Sequence, residues 1–330
     1  MSGSGASPLA ILRRLPAWES VLIVLLAAVV ILNSQLSPYF LDVSNLFDST
    51  LNFDEKAMIA LPLALVIITG QIDVSVASIV SVCAVAMGLA SNAGADGTLV
   101  VAVGLATGLV AGLINGLLVV GLGVHSIVVT IGTLSLYRGI TEAIVQDGAF
   151  TKFPKPMLAL GRAYLFNVVP FETLCWLVIA AIFAVVLHLT IAGRRIFAIG
   201  NNAQAARYSG IAVDRYKVAL FALTGLLCGL AAAFLVCRLG SVRQSIAEGS
   251  ELQVVTIVVL GGVSIAGGTG TIAGVVLSTL LIGALTYGLN LVNIPGLVVD
   301  LCLGILLIAS ISVPRAIRLI ALWRRIGQPT

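Results

Sequence analysis

Charge is scarce in this chain. Of 330 residues only 10% are Asp, Glu, Lys or Arg, while 59% are hydrophobic. A water-soluble domain carries about a quarter charged residues, so a soluble globular fold is excluded. The lysines are Lys56, Lys152, Lys155 and Lys217, and none follows a glycine. A phosphate-binding P-loop needs a Gly-Lys pair, so the chain encodes no Walker-type ATPase site of its own. The histidines, His125 and His188, are too few and too far apart in sequence for a metal site. Cys83, Cys175, Cys228, Cys237 and Cys302 lie in or beside apolar runs and form no CxxC pair. They read as small packing residues, not as disulfide or metal partners. No Ser-His-Asp arrangement is present, so no catalytic residue is assigned. "GTGTIAG" from Gly268 imitates a dinucleotide fingerprint, but it joins two apolar runs, no strand precedes it, and no acid follows about 20 residues on. The expectation is a non-enzyme without cofactor or metal. The net charge of +4 gives no reason to expect nucleic acid.

Long apolar runs are what the chain has. Mean hydropathy is +1.14. Ten stretches approach the length needed to cross ~30 Å of hydrocarbon: 18–36, 56–70, 73–91, 98–120, 126–145, 173–192, 217–238, 252–266, 271–290 and 296–314. The expected fold is all-α and polytopic. Residues 1–17 form an N-terminal tail, 18–314 the transmembrane domain and 315–330 a C-terminal tail. Arg13 and Arg14 before "VLIVLLAAVVIL" imitate a secretory signal, but no cleavage site follows, so the first span reads as uncleaved. Spans 56–70 and 252–266 are too short for straight crossing helices. Short, Gly- or Pro-interrupted spans predict broken helices bordering a cavity.

With the N-terminus inside, Arg13, Arg14, Arg194, Arg195, Arg207, Arg215, Lys217, Arg315, Arg318, Arg324 and Arg325 fall in the cytoplasm. Only Lys56, Lys152, Lys155, Arg162, Arg238 and Arg243 fall outside, and Arg138 lies within a span. The positive-inside bias therefore places both termini in the cytoplasm. Two loops exceed hairpin size: 146–172 outside and 193–216 inside, the second with a short helical stretch.

Gly104, Gly108, Gly112 and Gly116 recur every fourth residue, stacking on one helix face as a packing groove. "ATGLVAGLINGLLVV" from Ala106 is echoed by "LTGLLCGLAAAFLVC" from Leu223, aligning Gly108 and Gly112 with Gly225 and Gly229. Asp73, Glu142 and Asp300 lie within or against spans, where a carboxylate facing lipid is costly. Arg138 and Glu142, four apart, share a helical face and are candidates for a pair. In "GQIDVSVAS" (70–78), Gly70 ends one apolar run and Asp73 stands where the next helix begins, as an N-cap would. Gln71, Asp73 and Ser75 would bring polar groups to this break.

"GQIDVSVAS" resembles the "GGIDLSVG" signature of bacterial ABC importer permeases for sugars. "HSIVVTIGTLSLYRGI" from His125 resembles their "PFIVTLGTM…RGI" segment. "GRRIFAIGNNAQAARYSGI" from Gly193 and "SELQVVTIVVLGGVSIAGGTGTIAG" from Ser250 match two further motifs in the same order. The resemblance runs from about Asn45 to Pro314. It implies a permease for a ribose, rhamnose or autoinducer-2 type ligand, in the bacterial inner membrane. It also implies three partners: a cytoplasmic ATPase subunit, an external sugar-binding protein, and a second permease, identical or paralogous. Gln71, Asp73, Ser75, Thr130 and Thr133 are then the expected substrate-path residues. "QAARYSGI" is similar to the EAA-x-x-x-G pattern that docks the ATPase, which assigns coupling to Gln204, Ala205, Ala206, Arg207 and Gly210. Gln204 stands where the family has Glu, and Gln71, His125 and Gln253 depart from the ribose-like pattern.

The residues alone leave open an ion-driven transporter using Asp73, Glu142 or Asp300, and a membrane scaffold. The charge bias gives a first test. Reporter fusions at Thr330 and near Lys155 should report opposite sides of the membrane; matching sidedness would refute the ten-span arrangement.

Overall fold

The computed structural model describes residues 17–310, except 167 and 300, together with 312. Asp300 and the basic tail residues Arg13, Arg14, Arg315, Arg318, Arg324 and Arg325 lie outside the described residues. The chain is mostly helical. It opens with α1 (Ala17–Leu36), α2 (Val43–Thr50), α3 (Asp54–Ile68), α4 (Val76–Asn92), α5 (Gly97–Leu122) and α6 (Ser126–Val145). A short α7 (Lys155–Leu160) and a two-stranded hairpin, β1 (Tyr164–Leu165) with β2 (Val169–Pro170), occupy the next loop. Then come α8 (Phe171–Leu189), α9 (Ile191–Asn201), α10 (Ala203–Tyr208), α11 (Val213–Leu239), α12 (Ser250–Leu260), α13 (Ile272–Leu291) and α14 (Gly296–Ser310).

Each predicted span contains a helix, but their lengths differ. Six helices, α1, α5, α6, α8, α11 and α13, are long and apolar enough to cross a membrane. The others are shorter: α3 has 15 residues, α4 17 and α12 11. At 1.5 Å per residue, α12 covers only about 16 Å. It ends at Leu260, six residues before the predicted bound, because Gly261 and Gly262 start a glycine-rich turn there.

α3 forms the centre. Every residue of α3 except Lys56 is buried, and α11, α12, α8 and α13 all pack on it. A helix that is apolar on all sides belongs in such a position. Pro62 sits inside it, tolerated because the packed neighbours hold the helix in place. Around this core, α1, α5, α6 and α8 expose Val24, Val110, Val128, Ile182 and similar side chains, the surface that lipid covers.

The most extensive helix pair is α5 with α11. Here the echoed sequences face each other. A Cβ on Gly108 would collide with the Gly225 carbonyl, and one on Gly112 with the Phe221 carbonyl. One on Gly229 would lie 2.6 Å from the Gly104 carbonyl oxygen. The 117-residue offset of the echo maps the Gly112–Phe221 approach onto Gly229–Gly104, and Gly108–Gly225 onto itself. The crossing is thus a local two-fold in which each backbone fills the other's groove.

Loops gather at two ends. One end, basic, holds residues 69–75, 121–125, 190–212 and 261–271. The other, acidic, holds 37–53, 93–96, 146–170 and 240–249. At the acidic end Phe150 and Val242 form a β-bridge, and the Tyr164 hydroxyl donates to Asp48 at 2.9 Å. Asp42 caps α2, accepting from the Ser44 hydroxyl and from the amides of Asn45 and Ser44. These bonds hold its carboxyl below the usual range.

The crossing is testable. Gly108→Leu or Gly225→Leu should destabilise the bundle by more than the ~1–3 kcal/mol of ordinary overpacking, since the obstacle is backbone. Gly121→Leu, where a Cβ meets open space, is the control. Size-exclusion profiles of the detergent-extracted protein should show aggregation for the first two only. Normal profiles for Gly108→Leu would mean the crossing is not tightly packed.

Candidate transport and coupling sites

The chain between α3 and α4 leaves helical geometry inside the protein. Gly70 takes a left-handed φ of +76°, and Gln71–Ser75 run without a helical ladder. Their backbone groups find side-chain partners on α6. The Ile72 amide donates to Ser126 Oγ at 2.8 Å, and the Val74 amide to Thr130 Oγ1 at 3.3 Å. Thr130 also donates, at 3.4 Å, to the Ile72 carbonyl or to that of Ile127.

Asp73 and Ser75 are fully buried in the middle of this segment. Asp73 Oδ1 accepts from the Ser75 amide at 2.9 Å and from its hydroxyl at 2.6 Å. Ser75 Oγ in turn accepts from Asn115 Nδ2 of α5 at 2.7 Å. The Tyr137 hydroxyl of α6 lies 3.3 Å from Asn115 Oδ1 and 3.1 Å from the Ala111 carbonyl. The network therefore ties the break to α5 and α6. Asp73 is not the helix cap expected from the sequence. Ser75 occupies that position, and Asp73 closes a turn onto it two residues earlier. Thr133 bonds within α6, to the Thr130 carbonyl, and does not touch the break. Gln71 is half-buried and lines a cavity of about 230 Å³ with His125, Ser126, Arg207, Asp214 and Lys217. Asn115 and Tyr137 escaped the sequence reading, although an amide within the apolar run 98–120 is itself a signal.

At the basic end the predicted loop folds into two helices. Asn202 caps α10, accepting from the amides of Gln204 and Ala205 at 3.0 and 2.9 Å. Gly210, with φ +81°, turns the chain back toward α11. Gln204, Ala205, Arg207 and Tyr208 are exposed, Tyr208 by 84%. Ala206 does not lie on that face. It is buried against Ile199 and Val213, because the helix needs an apolar side to rest on its own support. Arg207 pairs with Asp214 of this chain. Behind α10, α9 reaches the break: a Cβ on Gly200 would strike the Ile68 carbonyl, and the Gly268 amide donates to that same carbonyl at 2.8 Å.

At the acidic end, Arg138 does not pair with Glu142. It donates to Ser81 Oγ at 2.9 Å and to the carbonyls of Ile246 and Gln244 at 3.1 and 3.3 Å. Arg before Glu is the weaker helical order, and three acceptors suit a guanidinium better. Arg238 of α11 holds Glu55 Oε1 of α3 at 2.7 Å. Thr173 of α8 donates to Asp54 Oδ2 at 2.5 Å. Among the described residues no cluster of His, Cys, Asp or Glu is fit to hold a metal ion.

A central broken helix, short apolar helices and a capped helix on the basic surface define an integral membrane transport component. The chain belongs to the family described as branched-chain amino acid transport system / permease component, whose profile matches residues 46–311. It is similar to the Autoinducer 2 import system permease protein LsrD of Klebsiella pneumoniae subsp. pneumoniae, 36% identical over 94% of this chain and 96% of the relative. The proteins of that name from Photorhabdus temperata and Escherichia coli K12 are 34% and 35% identical, each over 89% of this chain and 90% and 91% of their own lengths. No solved structure matches. The chain is a permease component of an ABC-type importer and a multi-pass protein of the inner membrane.

The break separates two roles for Asp73. Asp73→Asn keeps an oxygen to accept both Ser75 bonds, whereas Asp73→Leu leaves the Ser75 amide buried and unpaired, costing ~1–3 kcal/mol. If the carboxyl only shapes the turn, the Asn variant should transport normally and the Leu variant should yield less folded protein. Wild-type uptake and yield for Asp73→Leu would refute this role.

Proposed function

We propose that the chain forms the translocation path of a binding-protein-dependent importer for a small sugar-like ligand of the ribose, rhamnose or autoinducer-2 type. The names of its relatives and the order of its four motifs support this reading. The arrangement has ten spans with both termini cytoplasmic, the basic end inside and the acidic end outside. Residues 18–314 form the membrane domain and 193–216 its coupling loop. A cytoplasmic ATPase subunit docks on the exposed face of α10, through Gln204, Ala205, Arg207 and Tyr208. A sugar-binding protein delivers ligand at the acidic end, and a second permease, identical or paralogous, completes the pathway.

The observation that carries the reading is the position of α10. It is capped, exposed, and rests on a segment that reaches the broken helix through α9. A pull on α10 is thereby passed to Ile68 and Gly70. Gln71, Asp73, Ser75 and Thr130 then govern the inner end of the path, with Thr133 one turn further along α6.

Ala205→Glu should abolish docking without disturbing the loop, because Ala205 is exposed. A desolvated, unpaired charge at an interface costs about 3–5 kcal/mol, enough to weaken docking by orders of magnitude. The variant should reach the membrane in normal amount, lose the co-purifying ATPase and lose ATP-dependent uptake. Uptake that survives deletion of the ATPase gene would favour an ion-driven transporter.

A further inference from the structure

At the acidic end, α3 and α8 bring three carboxyl groups together below the surface. Asp54 and Glu55 open α3, and Glu172 lies in the first turn of α8. They are 0%, 8% and 3% exposed. The charges that act on Glu172 are those of Glu55, Asp54 and Arg238. Arg238 pairs with Glu55 Oε1 at 2.7 Å, and its own Nε is buried without a partner. Fully ionised, the cluster would set three negative charges against one positive. Buried groups in that position shed the excess charge by taking up protons. Asp54 Oδ1, Glu55 Oε2 and both oxygens of Glu172 are buried with no hydrogen-bond partner. Lys56, next along α3, donates to the Asn52 carbonyl. The other titratable groups that the neighbouring helices bring to this end are Cys175 of α8, Cys237 of α11, Glu251 of α12, Tyr287 of α13 and Asp48 of α2, and none of them can be a cation.

A chain of hydroxyls supplies an independent proton count. Three oxygen–oxygen contacts run from Asp54 Oδ2 to Thr173 Oγ1 at 2.5 Å, on to Thr50 Oγ1 at 2.5 Å, and on to the Phe47 carbonyl at 2.8 Å. Each contact needs one proton between its oxygens. The two hydroxyls supply two, and the carbonyl supplies none. An ionised Asp54 can only accept, so Thr173 donates to it, Thr50 donates to Thr173, and the Phe47 contact is left without a proton. A proton on Asp54 Oδ2 completes all three: Asp54 donates to Thr173, Thr173 to Thr50, and Thr50 to Phe47. The carboxyl groups are not arranged to hold a metal ion. The ligand that fits them is the proton.

We propose that this cluster is a two-proton site. Asp54 and Glu172 each hold a proton, Glu55 stays ionised on Arg238, and the site is then neutral. Its protons lock α8 to α3 and α2 through the hydroxyl chain. Removing them sets like charges together and leaves one contact unbonded, so rising pH loosens this joint. In the unfolded chain these carboxyls ionise near about pH 4. The folded state therefore binds more protons above that pH, and its stability falls as pH rises until the site itself ionises. The site is independent of which ligand the importer carries.

The test compares the full-length permease in lipid vesicles with the Asp54→Asn, Glu172→Gln double variant by infrared spectroscopy. At neutral pH the wild type should show a carbonyl band of protonated carboxyl, shifted in D2O, that the variant lacks. Thermal stability in detergent, read as the monodisperse fraction after heating, is followed between about pH 5 and 9. Each retained proton changes the folding equilibrium by about tenfold per pH unit, so two change it by up to about a hundredfold. The wild type should lose this stability relative to the variant as the medium turns alkaline. Asn and Gln copy the protonated acids, so each single variant should also fold. Absence of a band difference at neutral pH overturns the proposal. So does a pH slope unchanged in the double variant, or failure of both single variants to fold at about pH 5, where the wild-type site is protonated under the proposal.

Discussion

A backbone amide that leaves a helix inside a bilayer has no water to turn to, and each unpaired group costs several kcal/mol in hydrocarbon. The segment Gln71–Ser75 lives under that constraint, and much of the surrounding structure answers it. Ser126 and Thr130 stand one turn apart on α6, so both hydroxyls reach the extended chain. Asp73 and Ser75 close the remaining turn between themselves. Asn115 then anchors Ser75 to α5. Replacing these groups by apolar ones would leave the break without partners, and the chain would have to become helix or be expelled toward water.

Close backbone approach is the second condition for this arrangement. Asn115 reaches Ser75 only because α5 lies near α4, and α5 is held there by its glycine crossing with α11. In lipid no hydrophobic effect drives helices together, so contact area must come from small residues that let backbones touch. The four-residue glycine spacing and the buried polar network are thus parts of one design: the first brings the helices within reach, and the second fixes their register.

Much of this was legible in the sequence, for identifiable reasons. Apolar length and the spacing of Gly104–Gly116 are local, and local patterns predict local structure. Gly70 and Gly210 marked turns that adopt positive φ. What was not legible depends on the far side of a contact. The partners of Arg138 are carbonyls more than a hundred residues away. Ala206 looked like docking surface because small residues allow close approach, and the pattern cannot say whether the close partner is another subunit or Ile199 and Val213 of the same chain. The Glu55–Arg238 pair joins α3 to the end of α11, a closeness that no spacing rule encodes.

At the basic end the surface and the interior are joined through few contacts. The carbonyl of Ile68, at the end of α3, receives the Gly268 amide. Gly200, at the end of α9, packs onto the same carbonyl with no room for a side chain. Three segments far apart in sequence therefore share one point, and none can shift alone without opening a buried hydrogen bond or a backbone clash. Packed backbone contacts of this kind are stiff, since interiors close to crystal density transmit displacement instead of absorbing it. α10 packs on α9, and α9 bears on the end of α3. The element next in line is the run from Gln71 to Ser75, which has no helical ladder of its own and is held by side-chain hydroxyls of α6. Under the proposed coupling, the break is the first stretch without a helical ladder that a displacement at Ile68 would meet.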